Sequence, residues 1–205
     1  MTATRVLVLR HGQSEGNVAQ VWTSTFEGYP LTEQGREQAR RAGERLVDRG
    51  VTAVYGSPLP RAQQTAQEVG AVLGLPVGVL EGVHELDVGI HEGQHDETVG
   101  PVALEVFGRW WRDDDLSAGF PGGETGVEIV ARMRAALDTV ADRHDGGTVL
   151  VVSHGGAMAV GITAMCGNLD SLFVSQHILA NCDLVELRRD DAGWHCDSWA
   201  GLPRD

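Results

Sequence analysis

A chain of 205 residues, 42% apolar and 22% charged, suits one hydrophobic core and contains no long uncharged stretch of the kind that crosses a bilayer. Its formal net charge of −13 argues against nucleic acid or an anionic membrane as principal partner, because both reward basic surfaces. All 16 basic residues are Arg, so Schiff-base chemistry on the chain's own lysine and the lysine of a Walker phosphate loop are both excluded.

The opening Met1-Thr2-Ala3-Thr4 shows neither a basic segment nor an apolar signal core, and a cytoplasmic protein is expected. Val6 to Leu9 is a short apolar run of the buried parallel type, and it delivers Arg10-His11-Gly12 at its carboxyl end. A polar loop follows. Thr32 opens a helical pattern with Ala39, Ala42, Gly43, Leu46 and Val47 on one face and Gly50 as its stop. Val51 to Tyr55 is the next strand; Ala62, Ala66, Val69 and Leu73 then mark a helix closed by Gly74, and Pro76 to Leu80 a third strand. From Gln94 to Gly123 the pattern weakens, with Phe107, Trp110 and Trp111 beside the acidic run Asp113 to Asp115, which predicts an excursion from the core. A long helix through Ile129, Met133, Leu137 and Val140 leads to the strong buried strand Thr148 to Ser153, which ends in His154-Gly155-Gly156. A helix from about Ala157 to Met165 and two strands, near Asp183 to Leu187 and Trp194 to Trp199, follow. The alternation predicts a single α/β domain over 1–205, with a mostly parallel central sheet and helices on both faces. Cys166, Cys182 and Cys196 are odd in number and lack the spacing of a zinc or redox motif, which points to burial.

Two strands far apart in sequence each end in His-Gly, and open α/β sheets bind ligands beyond the carboxyl ends of their strands. His11 and His154 are therefore expected together, and Ser57-x-Leu59-x-Arg61 aims Arg61 at the same crevice, beside Arg10. Two histidines and two arginines without paired metal ligands suit a dianionic group better than a cation. Bland readings exist for each. His11 and His154 could be packed at strand ends, Arg61 solvated and Asn17 a turn cap. Trp110 and Trp111 are more often core or cover than a stacking platform, Arg109 and Arg112 more often solvated than ligands, and the Asp113 to Asp115 run more often a solvated loop than a metal site.

Arg10-His11-Gly12-Gln13-Ser14-x-x-Asn17, continued by Pro30-Leu31-Thr32-x-x-Gly35, resembles the nucleophile signature of the histidine phosphatase superfamily, whose members include cofactor-dependent phosphoglycerate mutases and small phosphatases. Ser57-x-Leu59-x-Arg61-Ala62 is similar to its second arginine motif, and Glu85-x-Asp87-x-Gly89-x-x-Glu92-Gly93 to its proton-donor segment. Pro121-Gly122-Gly123-Glu124 and Ser153-His154-Gly155-Gly156 match its later landmarks. The likeness runs nearly end to end, in family order.

The resemblance implies a phosphoglycerate mutase-like fold and a metal-independent phosphatase with no cofactor, acting on a small phosphorylated substrate. In that scheme His11 becomes a phosphohistidine while Arg10, Arg61 and His154 hold the phosphoryl oxygens. Asn17 and the Gly155-Gly156 amides add hydrogen bonds. Glu85 is the expected general acid, although Asp87 and Glu92 are nearby carboxylates and a salt bridge would explain any of them. Dimers are common among such relatives, which makes a homodimer one of the states the resemblance allows. A mutase is the nearest rival, disfavoured by the short acidic interval before His154 and by Gly16 where mutases carry Trp. A non-catalytic phospho-ligand-binding regulator is the rival of another class, disfavoured because neither a histidine nor an arginine of the signature is lost. A serine hydrolase is weaker still, for want of a Gly-x-Ser-x-Gly elbow.

Overall fold

Strand β1 (Thr4–Arg10) is almost wholly apolar, and its side chains feed two separate cores because successive strand residues point to opposite faces. Val6 and Val8 join Val149 and Val151 of β4 (Thr148–Ser153) in one core, whereas Leu7 and Leu9 join Leu150 and Val152 in the other. Strands buried on both faces belong in the middle of a sheet. The flanking strands are β2 (Val51–Gly56), β3 (Val77–Val79), β5 (Leu184–Asp190), β6 (Gly193–Trp199) and β7 (Leu202–Pro203). The order is β3-β2-β4-β1-β5-β6-β7. β3, β2, β4, β1 and β6 run one way and β5 and β7 the other, so the sheet is mostly but not wholly parallel. The computed structural model describes residues 3–204; Met1 and Thr2, on which part of the cytoplasmic expectation rests, lie outside the described residues.

Helices α2 (Glu33–Glu44) and α3 (Pro60–Leu73) cover one face through Ala39, Ala42, Ala62, Ala66 and Val69. Helices α5 (Gly126–Arg143) and α6 (Gly155–Met165) cover the other, where Ile129, Met133, Leu137, Met158 and Ile162 are wholly buried. Each such side chain contributes roughly 1.5–3 kcal/mol by leaving water. The three cysteines are free and buried, as expected. Among the described residues no helix is long and apolar enough to cross a membrane.

Three expectations need correction. The first helix stops at Glu44, and Val47 sits in a separate 3₁₀ turn, Val47–Arg49, with 57% of its surface exposed. The stretch from 94 to 123, expected to leave the core, holds the 17-residue helix α4 (Asp96–Arg112), and Val99, Ala103, Val106 and Trp110 of that helix are buried in the larger core. Their spacing of four, three and four is helical, but Gly100, Pro101 and Gly108 mask it. Two short helices, α1 (Glu15–Ala19) and α7 (Ser171–Gln176), had no periodic signal to announce them.

Candidate active site

Sheet register places the two histidines. Arg10 and Ser153 are cross-strand partners at the parallel β1/β4 ends, and His11 N–H donates to the Ser153 carbonyl at 3.0 Å. The His11 and His154 rings consequently lie 5.1 Å apart, centroid to centroid. On the other side of β4, Ser57 N–H donates to the Val152 carbonyl at 2.9 Å, which starts α3 where Arg61 reaches His11. Arg61 Nε donates to His11 Nε2 at 3.1 Å. His11 Nδ1 donates to the Gly12 carbonyl at 2.7 Å, so both contacts call for the neutral ring with its hydrogen on Nδ1.

Burial, then Arg61 and Arg10, holds the His11 imidazole well below 6.5, and burial followed by Arg61 does the same to His154. His154 Nε2 lies 2.8 Å from Ser57 Oγ. Arg10 donates to the Leu179 carbonyl and Arg61 Nη2 to the Thr23 carbonyl at 3.0 Å, yet Arg10 Nε and Arg61 Nη1 are buried with no hydrogen-bond partner among the described residues. Two guanidinium donors held out of water and unmatched are what a phosphate oxygen completes.

Glu85 docks on the first turn of α6, its carboxylate accepting from Ala157 N–H at 2.8 Å, Gly156 N–H at 3.3 Å and Leu86 N–H at 3.0 Å. The Gly156 amide is therefore occupied by Glu85. A Cβ at Gly155 would stand 3.2 Å from Arg10 Nε, so the glycine makes room for that guanidinium. Asn17 is a capping residue: its amide N–H donates to Ser14 Oγ and its Oδ1 accepts from Ser14 N–H at 3.1 Å, closing a capping box on α1. Asn181 ties this cap to the loop after β1 through Asn17 Oδ1 at 3.2 Å and the His11 carbonyl at 3.0 Å.

Arg10, His11, Asn17, Arg61, Glu85 and Gly155 all line one cavity of about 440 Å³; His154, wholly buried, stands behind it. A further wall comes from α4 through Phe107 and Trp111, so Trp111 is a cavity residue while Trp110 is core. Arg109 and Arg112 pair with Asp115 and Asp113 away from the cavity, and Asp115 also accepts from Ser117.

The family model for the histidine phosphatase superfamily, branch 1, matches residues 6–201. The chain belongs to the histidine phosphatase superfamily. Probable phosphoglycerate mutase GpmB of Yersinia pestis is 29% identical over 199 residues, covering 95% of this chain and 89% of its own. A solved mycobacterial glucosyl-3-phosphoglycerate phosphatase is 26% identical and covers 97% of this chain and 99% of its own, with a TM-score of 0.81. Bacillus stearothermophilus YhfR is also 26% identical with a TM-score of 0.81, and 97% of each chain is covered.

In this superfamily member the signature residues outside the cavity have structural work. A Cβ on Gly12 would come within 2.4 Å of the Gly35 carbonyl oxygen, and one on Gly35 within 2.0 Å of the Gln13 carbonyl oxygen. The loop after β1 and the start of α2 thus touch backbone to backbone, locked by Thr32 N–H donating to the Gln13 carbonyl at 3.0 Å. Four positioning residues were missed by sequence reasoning. Ser57 touches His154, and Thr65 Oγ1 accepts from Gly12 N–H at 3.0 Å while donating to the Arg61 carbonyl at 2.7 Å. Glu92 accepts from Ser24 N–H at 2.9 Å and Ser24 Oγ at 2.8 Å, steadying the loop whose Thr23 carbonyl holds Arg61. Burial raises the Glu92 carboxyl, but hydrogen bonds from Thr23, Ser24 and Thr25 outweigh it and leave the group below its ordinary value. Ser57 and Glu92 stand inside the quoted motifs, which was the available signal, and Thr65 lies one helical turn beyond Arg61; Thr23 stands outside them.

Proposed function

We propose that the chain is a metal-independent phosphatase that hydrolyses a small phosphate monoester through a phosphohistidine on His11. The observation that carries this reading is the His11 tautomer. With its hydrogen on Nδ1 and bonded to the Gly12 carbonyl, the ring keeps a lone pair on Nε2, the nitrogen that Arg61 touches.

Phosphate binding gives Arg61 an oxygen to contact in place of Nε2 and frees the lone pair. Nε2 attacks phosphorus and the N–P bond forms as the ester P–O bond breaks. Arg10 and Arg61 meet the charge of the phosphoryl oxygens, the Gly12 carbonyl stabilises the cationic ring, and His154 backs the His11 ring from behind the cavity. Glu85 supplies the proton that leaves with the alcohol. Water then attacks phosphorus, its proton returning to Glu85, and cleavage of the N–P bond releases inorganic phosphate and neutral His11.

The name of the Yersinia relative makes a mutase the second reading. A mutase must also hold the carboxylate of a sugar acid, whereas the arginines lining this cavity are Arg10 and Arg61. Assays with p-nitrophenyl phosphate and with 3-phosphoglycerate plus its bisphosphate primer test both. Free phosphate from the wild type and none from His11→Ala is expected. Unaltered turnover in His11→Ala removes the mechanism, and 2-phosphoglycerate without phosphate release replaces the phosphatase by the mutase.

A further inference from the structure

The cavity has two chemically different walls. The β1 end and the start of α3 supply His11, Arg10 and Arg61, whereas α4 supplies Phe107 and Trp111 and the segment after α1 supplies Trp22. The Phe107 ring stacks on Trp111 with centroids 4.9 Å apart and 18° between planes, and lies 6.3 Å from the Trp22 ring. The Nε1–H of Trp111 is buried, so this indole presents carbon to the cavity. Val21 and Ile178 extend the apolar surface. The charged group on this side is Asp96, whose carboxylate accepts from Trp22 Nε1 at 2.8 Å. Arg109 and Arg112, on the same helix, are paired with Asp115 and Asp113 and contribute nothing to the lining.

A ligand that fills this space places its phosphate on the arginines and the rest of its body against the rings. A second anion there gains no cation and meets Asp96, while an apolar group leaves water for a ready-made carbon surface. We propose, resting on the phosphatase reading, that the preferred ester carries an apolar, aromatic alcohol part with no second negative charge, seated against Trp22, Phe107 and Trp111.

The test compares three alkyl monoesters: 2-phenylethyl phosphate, glycerol 1-phosphate and 3-phosphoglycerate. All three release an alkyl alcohol that needs a proton to leave, so ring and charge are the main differences. The expected kcat/KM is highest for phenylethyl phosphate, about tenfold or more above glycerol 1-phosphate, with 3-phosphoglycerate lowest. Trp111→Ala is expected to cut phenylethyl phosphate turnover about tenfold more than glycerol 1-phosphate turnover; a purely structural defect lowers both alike. Equal or better turnover of 3-phosphoglycerate by the wild type overturns the proposal, as does a preference that survives Trp111→Ala undiminished. If none of the esters releases phosphate, the phosphatase reading fails alone. Calorimetric affinities of the wild type for the same three compounds then decide the seating, with the same order supporting it and the reverse order refuting it.

Discussion

Acidification is expected to destabilise this protein through the two histidines that the proposed chemistry uses. Burial, reinforced by Arg61, keeps His11 and His154 neutral in the folded chain well below 6.5, whereas an unfolded imidazole takes a proton near that pH. The unfolded state therefore binds more protons as pH falls, and stability present in full above about pH 6.5 is lost on the way down to the folded values. Where the unfolded rings are charged and the folded rings are not, the slope approaches about 1.4 kcal/mol per pH unit for each histidine. Urea unfolding followed by tryptophan fluorescence between about pH 7.5 and about pH 5.0, in phosphate-free buffers, measures the loss. His84, also lowered by burial and Arg132, adds to the total, so the decisive comparison is with variants. His11→Gln and His154→Gln should each make the fall of stability with pH shallower, because glutamine does not titrate. An identical fall in wild type and both variants would refute the reasoning.

Glu85→Gln should slow hydrolysis of alkyl phosphates by about 100-fold or more but affect p-nitrophenyl phosphate far less, since nitrophenolate leaves without a proton; equal losses in the two kcat values argue against the acid role. Glu92→Ala releases the Ser24 loop and with it the Thr23 carbonyl that steadies Arg61, and a rise in KM for phosphate esters of about tenfold is expected, with stability changed by no more than about 1 kcal/mol. Gly156→Ala places a methyl 2.5 Å from Leu86 Cδ2 and 2.9 Å from Glu85 Oε1, so steady-state kinetics should show a loss of kcat alongside a stability loss of about 1–3 kcal/mol in urea unfolding.

The sheet and the heart of the site were legible because they rest on short-range signals. A doubly buried strand must be apolar throughout, as Val6 to Leu9 and Val149 to Val152 are, and each such strand hands its last residues to the same sheet edge. That brings Arg10, His11 and His154 together, and Arg61 joins them from the first turn of α3. Helix α4 was obscured because Gly100, Pro101 and Gly108 carry low helical propensity, and packing of Val99, Ala103, Val106 and Trp110 overrides it. The separate fates of Trp110 and Trp111 depend on which side of that helix faces the sheet, a tertiary fact that adjacent residues of one type do not disclose. Asn17 was ambiguous for a physical reason: an amide that caps α1 also lines the cavity, and one residue satisfies both descriptions.

His11 and His154 hang from hydrogen-bonded neighbours at the sheet's centre, whereas Phe107 and Trp111 belong to one helix that lines the cavity. A change in α4 therefore reshapes the cavity's apolar side without disturbing the strand ends that hold His11 and His154.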